Sequence, residues 1–211
     1  MRQYRRHILL ATSAVLALAV APQVEAAERG GDQSVSVFAG IATDAAFTDS
    51  MFFPWDNNLQ DIGVLGIAYS KRFGTVDELS GGSIPLGDNL TLEGEIGLSG
   101  RFGKESLGEV WTGLYLRYDG FPWNDKIYTT IAVNTGLSLL TNQSAFERGR
   151  DENNKNTELL HYMGPEITFA DPDNKNLELL VRFHHRSGVF GLFDGVISGS
   201  TFISSGVRLR F

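Results

Sequence analysis

The sequence predicts an all-β chain, an eight-stranded antiparallel transmembrane β-barrel. Three observations carry that reading. Beyond about residue 30, apolar residues recur at every second position rather than at helical spacing. Most of the alternating runs are about 11–15 residues long, against roughly 5–6 in soluble sheets and ~9–11 for a tilted membrane-crossing strand. The last run sets Val207, Leu209 and Phe211 against Gly206, Arg208 and Arg210, and Phe211 ends the chain.

The alternation places strands at 33–43, 60–73, 88–101, 107–118, 126–140, 157–171, 175–187 and 200–211. The third is the clearest. Leu90, Leu92, Ile96 and Leu98 share one face, and Thr91, Glu93, Glu95, Ser99 and Arg101 the other. Two carboxylates cannot face lipid, so the odd face looks inward. The fourth sets Val110, Thr112, Leu114 and Leu116 against Glu109, Trp111, Tyr115 and Arg117. The fifth sets Ile127, Ile131, Val133, Leu137 and Leu139 against Tyr128, Thr130, Asn134 and Ser138. The mean hydropathy of −0.09 is then a cancellation between an apolar outer row and a polar inner one. An interior holding Glu93, Glu95, Arg101, Arg117, Arg182, Arg208 and Arg210 is expected to be plugged by ion pairs rather than open. Closure satisfies every backbone group within lipid.

Punctuation between strands agrees. Residues 119–125 and 171–176 are short turns rich in Gly, Pro, Asn and Asp, whereas 44–59, 141–156 and 188–199 are longer. With both termini on the periplasmic side, these three long loops are extracellular, the usual asymmetry. The connection at 74–87 is long on the wrong side. The polar run 147–156 reads as a solvated loop. Phe52, Phe53 and Trp55, with Phe121 and Trp123, cluster near strand ends as interfacial girdles do.

Residues 1–26 read as a secretory signal peptide, followed by one barrel domain at 27–211. Arg2, Arg5 and Arg6 form a positive start, Ile8 to Val20 an apolar stretch, and Val24 and Ala26 a small-residue cleavage site. Removal leaves 15 basic against 24 acidic residues, from 18 and 25 in the whole chain. That balance excludes a nucleic-acid partner, which needs a basic face. The absence of Cys excludes thiol chemistry and thiolate-bound zinc. Four scattered His show no metal-ligand spacing, and the Gly at 94, 97, 100 and 103 do not lead from a strand into a helix. Neither a metal nor a cofactor is expected.

Candidate chemistry sits in the seventh strand. Its outward row runs Leu177, Leu179, Val181, Phe183, then His185 and Ser187. Two residues along a strand span about 6.6–7 Å, so a general base and a hydroxyl nucleophile can lean together. The even row holds Glu178, Arg182, His184 and Arg186, for which inward or loop acids are the expected partners. Arg186 could instead meet a lipid phosphate. His161 falls in an otherwise apolar row with Leu159 and Met163, as an interfacial His would.

The terminal strand closing on Phe211 resembles the assembly signal of Gram-negative outer-membrane barrels, which implies that the barrel assembly machinery is a partner and that the protein resides in the bacterial outer membrane. Together with the secretion signal, the eight strands and the His-x-Ser at 185–187, it resembles the outer-membrane lipid A 3-O-deacylases, the PagL family. That resemblance implies a lipid-facing ester hydrolase that removes an ester-linked acyl chain from lipid A of lipopolysaccharide. It implies Ser187 as nucleophile and His185 as base, facing the outer-membrane lipids. The family's orienting Glu lies about a dozen residues beyond the Ser, where this chain has Gly199, and no Glu follows Ser187. Asp194 is the only acid in that stretch and stands either as the third catalytic member or as a turn former in Phe193-Asp194-Gly195. The missing Glu motivates an alternative, a non-enzymatic small barrel with a structural or adhesive role through its extracellular loops.

Overall fold

The structure is a computed structural model, and it describes residues 29–52, 58–83 and 87–211. The predicted signal peptide at 1–26, Phe53 and Trp55 lie outside the described residues.

The strands are β1 (Gln33–Thr43), β2 (Leu59–Thr75), β3 (Leu90–Gly103), β4 (Leu107–Tyr118), β5 (Tyr128–Leu140), β6 (Leu159–Met163), β7 (Glu166–Asp171), β8 (Asn174–Ser187) and β9 (Thr201–Arg210). Every pairing is antiparallel; β6 and β7 both lie between β5 and β8, the other pairings join chain neighbours, and β1 also pairs with β9, closing the sheet into a barrel. Gln33 and Phe211 exchange two backbone hydrogen bonds at the seam, of 2.9 and 3.1 Å. Short helices α1 (Phe47–Phe52) and α3 (Ala145–Arg150) sit at the end away from the termini, and α2 (Val76–Leu79) at the terminal end.

The nine segments make eight crossings. β6 and β7 are one strand interrupted at Gly164 and Pro165, and the register against β5 continues across the gap, with Gly136 opposite Tyr162 and Ala132 opposite Glu166. Pro165 has no N–H to give the ladder. Gly164 donates its N–H to the Asn134 side chain instead. The unexpected connection after β2 is built around α2, which is closed by a capping box between Thr75 and Glu78 and followed by Gly81 and Gly82 at positive φ.

Parity holds around the barrel. Leu65, Ile67, Ile96, Leu98, Leu114, Val133, Leu177, Leu179, Val207 and Leu209 are exposed on the outer wall, an apolar surface of the kind that faces lipid. The predicted interior charges Glu93, Glu95, Arg101, Arg117, Arg182, Arg208 and Arg210 are all buried. Glu166 accepts hydrogen bonds from Arg117 (2.8 Å), Arg182 (2.6 Å) and Arg208 (2.7 Å). Glu95 takes two more from Arg182, at 2.7 and 3.0 Å, together with Trp111 Nε1–H and the Tyr115 hydroxyl, each at 2.9 Å. Around these polar groups pack Phe38, Ala68, Trp111, Tyr115, Ala132, Tyr162 and Leu180. The Trp111 ring lies against Gly97 directly across the sheet, where a Cβ would overlap it. That accounts for one glycine of the third strand by close packing.

One expectation fails here. The run 147–156 is not simply solvated, because Glu147, Asp151 and Asn156 are buried. The Glu147 carboxylate enters the barrel mouth and accepts from Arg101 (3.1 Å), Arg186 Nε–H (2.9 Å) and the Ser200 hydroxyl (2.6 Å). Removing one partner from a buried charge network costs about 3–5 kcal/mol. Glu166→Ala is therefore expected to lower the barrel's unfolding free energy, measured by denaturant titration, by that amount, with a lower midpoint. Lys104→Ala, which breaks the exposed pair with Asp61, is expected to leave the midpoint unchanged.

Candidate active site

The two outward polar residues of β8 arise from its alternation. Glu178, Leu180, Arg182, His184 and Arg186 fill the interior, so Leu177 through Ser187 at odd positions face out. His184 and Arg186 find interior acids as expected. His184 Nε2 is 2.8 Å from Glu109, and Arg186 bonds Glu147. Arg186 is thus wholly buried rather than offered to a lipid phosphate.

His185 and Ser187 occupy consecutive outward positions at the far end of the strand, and no hydrogen bond joins them. The Ser187 hydroxyl accepts the Val189 N–H at 3.2 Å and is half-buried. His185 is 8% exposed although its strand face is outward. The cover comes from α1, whose Phe47 ring stacks on the imidazole with centroids 4.4 Å apart and also meets Phe183 edge-on. Arg150 of α3 holds the base of α1 by donating to the carbonyls of Thr43 and Ala45, at 2.5 and 2.9 Å.

The residue that orients His185 escaped the sequence reading. Thr201, opposite His185 in the β8–β9 register, places its hydroxyl 2.8 Å from His185 Nδ1. Donation from Nδ1–H to this hydroxyl leaves Nε2 unprotonated, which is the form a general base requires. Asp194 does not take that position. It is exposed, sits at φ 53° in a turn, and its carboxylate makes no hydrogen bond to His185. The turn-forming role fits the short polar side chain, which tolerates the left-handed region. Parity could have suggested Thr201, but the loop of 188–200 hides the register.

That loop is strained directly after Ser187. Val189 and Phe190 have φ of 48° and 56°, a conformation costly for a β-branched or bulky side chain. Asp151 braces it by accepting from the backbone N–H of Ile197 (2.6 Å) and Ser198 (3.0 Å), and from Asn153 and Lys155 of its own loop. Burial would raise this carboxyl's pKa, but the backbone N–H groups of Ser198, Ile197, Lys155 and Asn153 together hold it below the ordinary value. The bracing is therefore present at neutral pH and lost only as pH falls through that lowered value.

On the neighbouring strand, His161 lies directly opposite Ser187. Its Nε2 is 2.8 Å from the Thr135 hydroxyl of β5. Among the described residues no cluster of His, Cys, Asp and Glu could hold a metal ion.

No family model matches the chain, and no curated protein matches it. Solved structures do. The chain is similar to the outer membrane enzyme PagL at 15% identity and a TM-score of 0.56, covering 84% of this chain and 99% of that one. Neisserial surface protein A matches at 12% identity and TM-score 0.47, over 87% of this chain and all of that one. The N-terminal β-barrel domain of Pseudomonas aeruginosa OprF matches at 10% identity and TM-score 0.44, again over 87% and 100%. At these identities the likeness to PagL establishes the fold, a small outer-membrane β-barrel, and leaves the chemistry to the residues.

Two outcomes follow from the site geometry. Phe47→Ala is expected to speed acylation of His185 by diethylpyrocarbonate, read by peptide mass mapping, with the rate at His161 unchanged. Asp151→Ala is expected to open the 188–200 loop to limited proteolysis at neutral pH while the barrel stays folded.

Proposed function

We propose that this chain is an outer-membrane carboxylic ester hydrolase that removes an ester-linked acyl chain from a lipid of the surrounding leaflet. Lipid A of lipopolysaccharide is the substrate that the family resemblance implies. One observation carries the reading: a hydroxyl and an imidazole share the outward face of one strand, and the imidazole Nδ1 is held by Thr201. A nucleophile on the lipid side of a barrel whose interior is packed with paired charges can reach only a substrate lying in the membrane.

In the reaction, Ser187 Oγ attacks the ester carbonyl carbon and passes its proton to His185 Nε2. The carbonyl re-forms as the C–O bond to the departing alcohol breaks, and the His185 proton goes to that alcohol oxygen. Water then attacks the acyl-serine, gives a proton back through His185, and releases the fatty acid. The attack requires Ser187 to exchange its Val189 N–H contact for His185, which it meets in the imidazole plane while Phe47 stays on the ring face. Residues 1–26 act as the export signal, and Phe211 presents the barrel to the assembly machinery. The loops at the far end then face the cell exterior.

A second reading has its own support. Among the described residues His185 has no carboxylate partner, and Ser187 is hydrogen-bonded to backbone rather than to His185. A barrel acting through its surface loops alone needs neither residue.

Mass spectrometry of lipid A from cells with and without the protein separates the two. The hydrolase reading expects loss of one acyl chain that Ser187→Ala abolishes. It expects Thr201→Val to slow turnover roughly tenfold to a hundredfold, since one hydrogen bond is worth about 1–3 kcal/mol when its loss leaves a buried donor unpaired. Unchanged acylation in all strains overturns it in favour of the non-enzymatic barrel.

A further inference from the structure

The terminal end of the barrel, opposite to His185 and Ser187, holds a cavity that the proposed reaction does not use. It has a volume of about 510 Å³, and Arg29, Asp32, Arg72, Phe73, Gly74 and Glu78 are among its lining residues. That volume lies within the roughly 300–1,000 Å³ of small-ligand sites. The cavity sits where the lipid-facing wall ends. The outward row of β2 runs Leu65, Ile67, Tyr69, Lys71 and Phe73, all exposed. It passes from aliphatic to amphipathic side chains, the change that marks the headgroup level of a membrane. A register shift against β3 then leaves Phe73 as the extra residue of a bulge between Arg72 and Gly74. Gly74 follows at φ 144°, and a Cβ there would stand 3.1 Å from Glu78 Oε2. The glycine thus keeps this part of the cavity wall clear.

The lining carries both signs of charge, and each sign has bonding capacity left over. The Arg72 side chain is 8% exposed. Its Nη1 donates to the Gly30 carbonyl (3.1 Å) and to Asp32 Oδ1 (3.0 Å), which leaves the Nη2 protons free among the described residues. Its buried Nε–H also lacks an acceptor, with Glu93 Oε1 at 3.7 Å. Arg29 holds Asp119 through Nε (2.6 Å) and Nη2 (2.9 Å) and keeps Nη1. Of the acids, the Asp32 side chain is 73% exposed, and Glu78 gives only Oε2 to the Thr75 N–H.

We propose that this cavity binds the headgroup of a phospholipid of the adjacent leaflet, one carrying a phosphate and a primary ammonium, as ethanolamine phospholipids do. The phosphate meets Arg72 and Arg29, whose planar donors suit it. The ammonium meets Asp32 and Glu78, which need N–H donors. Charge balance favours such a ligand. A headgroup with only negative charge faces the two carboxylates uncompensated. A quaternary ammonium offers no N–H, and one Phe73 ring is no aromatic cage for it. The acyl chains stay in the membrane beside Phe73. The proposal takes the terminal end as the periplasmic one, so this leaflet is the inner leaflet of the outer membrane. It is independent of the hydrolase reading.

The test counts retained lipid. The whole barrel carrying Ser187→Ala, which prevents turnover, is reconstituted with equal amounts of ethanolamine, choline and glycerol phospholipids of identical chains. Lipid that stays bound is read by native mass spectrometry. The ethanolamine lipid is expected to be retained with about a tenfold preference, the scale of one hydrogen bond to a charged group. Asp32→Asn with Glu78→Gln is expected to remove that preference and shift retention toward the anionic glycerol lipid. Gln at position 78 preserves the capping box, so α2 stays in place. Arg72→Gln is expected to lower retention of all three lipids, with heat-modifiable gel mobility checking that the barrel is folded. Equal retention of the three lipids overturns the proposal, as does an ethanolamine preference that survives the double substitution. A preference for the glycerol lipid in the barrel with both acids intact overturns it in favour of a simple anion site.

Discussion

The interior of this barrel must be electrically neutral before anything on its surface can matter. Glu166 is the hub of that constraint, with Arg117, Arg182 and Arg208 converging on it from β4, β8 and β9. Glu93, Glu95 and Glu178 extend the lattice to Arg72 and Arg210. A charge stranded in so dry a space costs several kcal/mol, so each acid fixes which strands stand opposite it. A slip of one residue in β3, β4, β7 or β8 would turn a carboxylate to lipid and an apolar side chain to the lattice. Register and outer wall are thus two consequences of one charge arrangement.

A filled interior moves chemistry elsewhere. The far end is organised by the 141–158 loop, and three of its residues do separate jobs. Glu147 seals the mouth by joining Arg101 and Arg186, Arg150 fastens the base of α1, and Asp151 braces the strained loop after Ser187. The position of Phe47 over His185 and the conformation next to Ser187 both trace back to this one loop. Its grip on the barrel is the same currency as the interior itself, a buried carboxylate shared by two guanidinium groups.

Period-two alternation made most of the fold legible. All eight crossings fall within a few residues of their predicted bounds, because the outer and inner rows differ so sharply in polarity. The outward placement of His185 and Ser187 follows from the same parity. What stayed hidden was anything set by contacts between distant segments. Thr201 meets His185 only through a β8–β9 register that a long connecting loop leaves undetermined in sequence. Glu147 and Asp151 look like ordinary loop charges until the guanidinium and amide groups that bury them are placed. Asp194, the lone acid after Ser187, stands in a turn at positive φ, and no hydrogen bond joins it to the imidazole.

In the proposed hydrolase, Thr201 rather than a carboxylate beside His185 has a physical logic on a lipid-facing wall. A carboxylate beside His185 would steady the imidazolium formed during attack, but in the free protein it would be a charge held against hydrocarbon. A hydroxyl avoids that cost and still fixes the ring orientation through Nδ1. What it gives up is the countercharge. Phe47 supplies part of a replacement, because an aromatic face 4.4 Å from the imidazole attracts it once it is protonated. That attraction is worth less than an ion pair, so the proposed base would be slower than an acid-backed one. It also ties the base to its cover: the ring that shields His185 at rest is the ring best placed to stabilise its charged form.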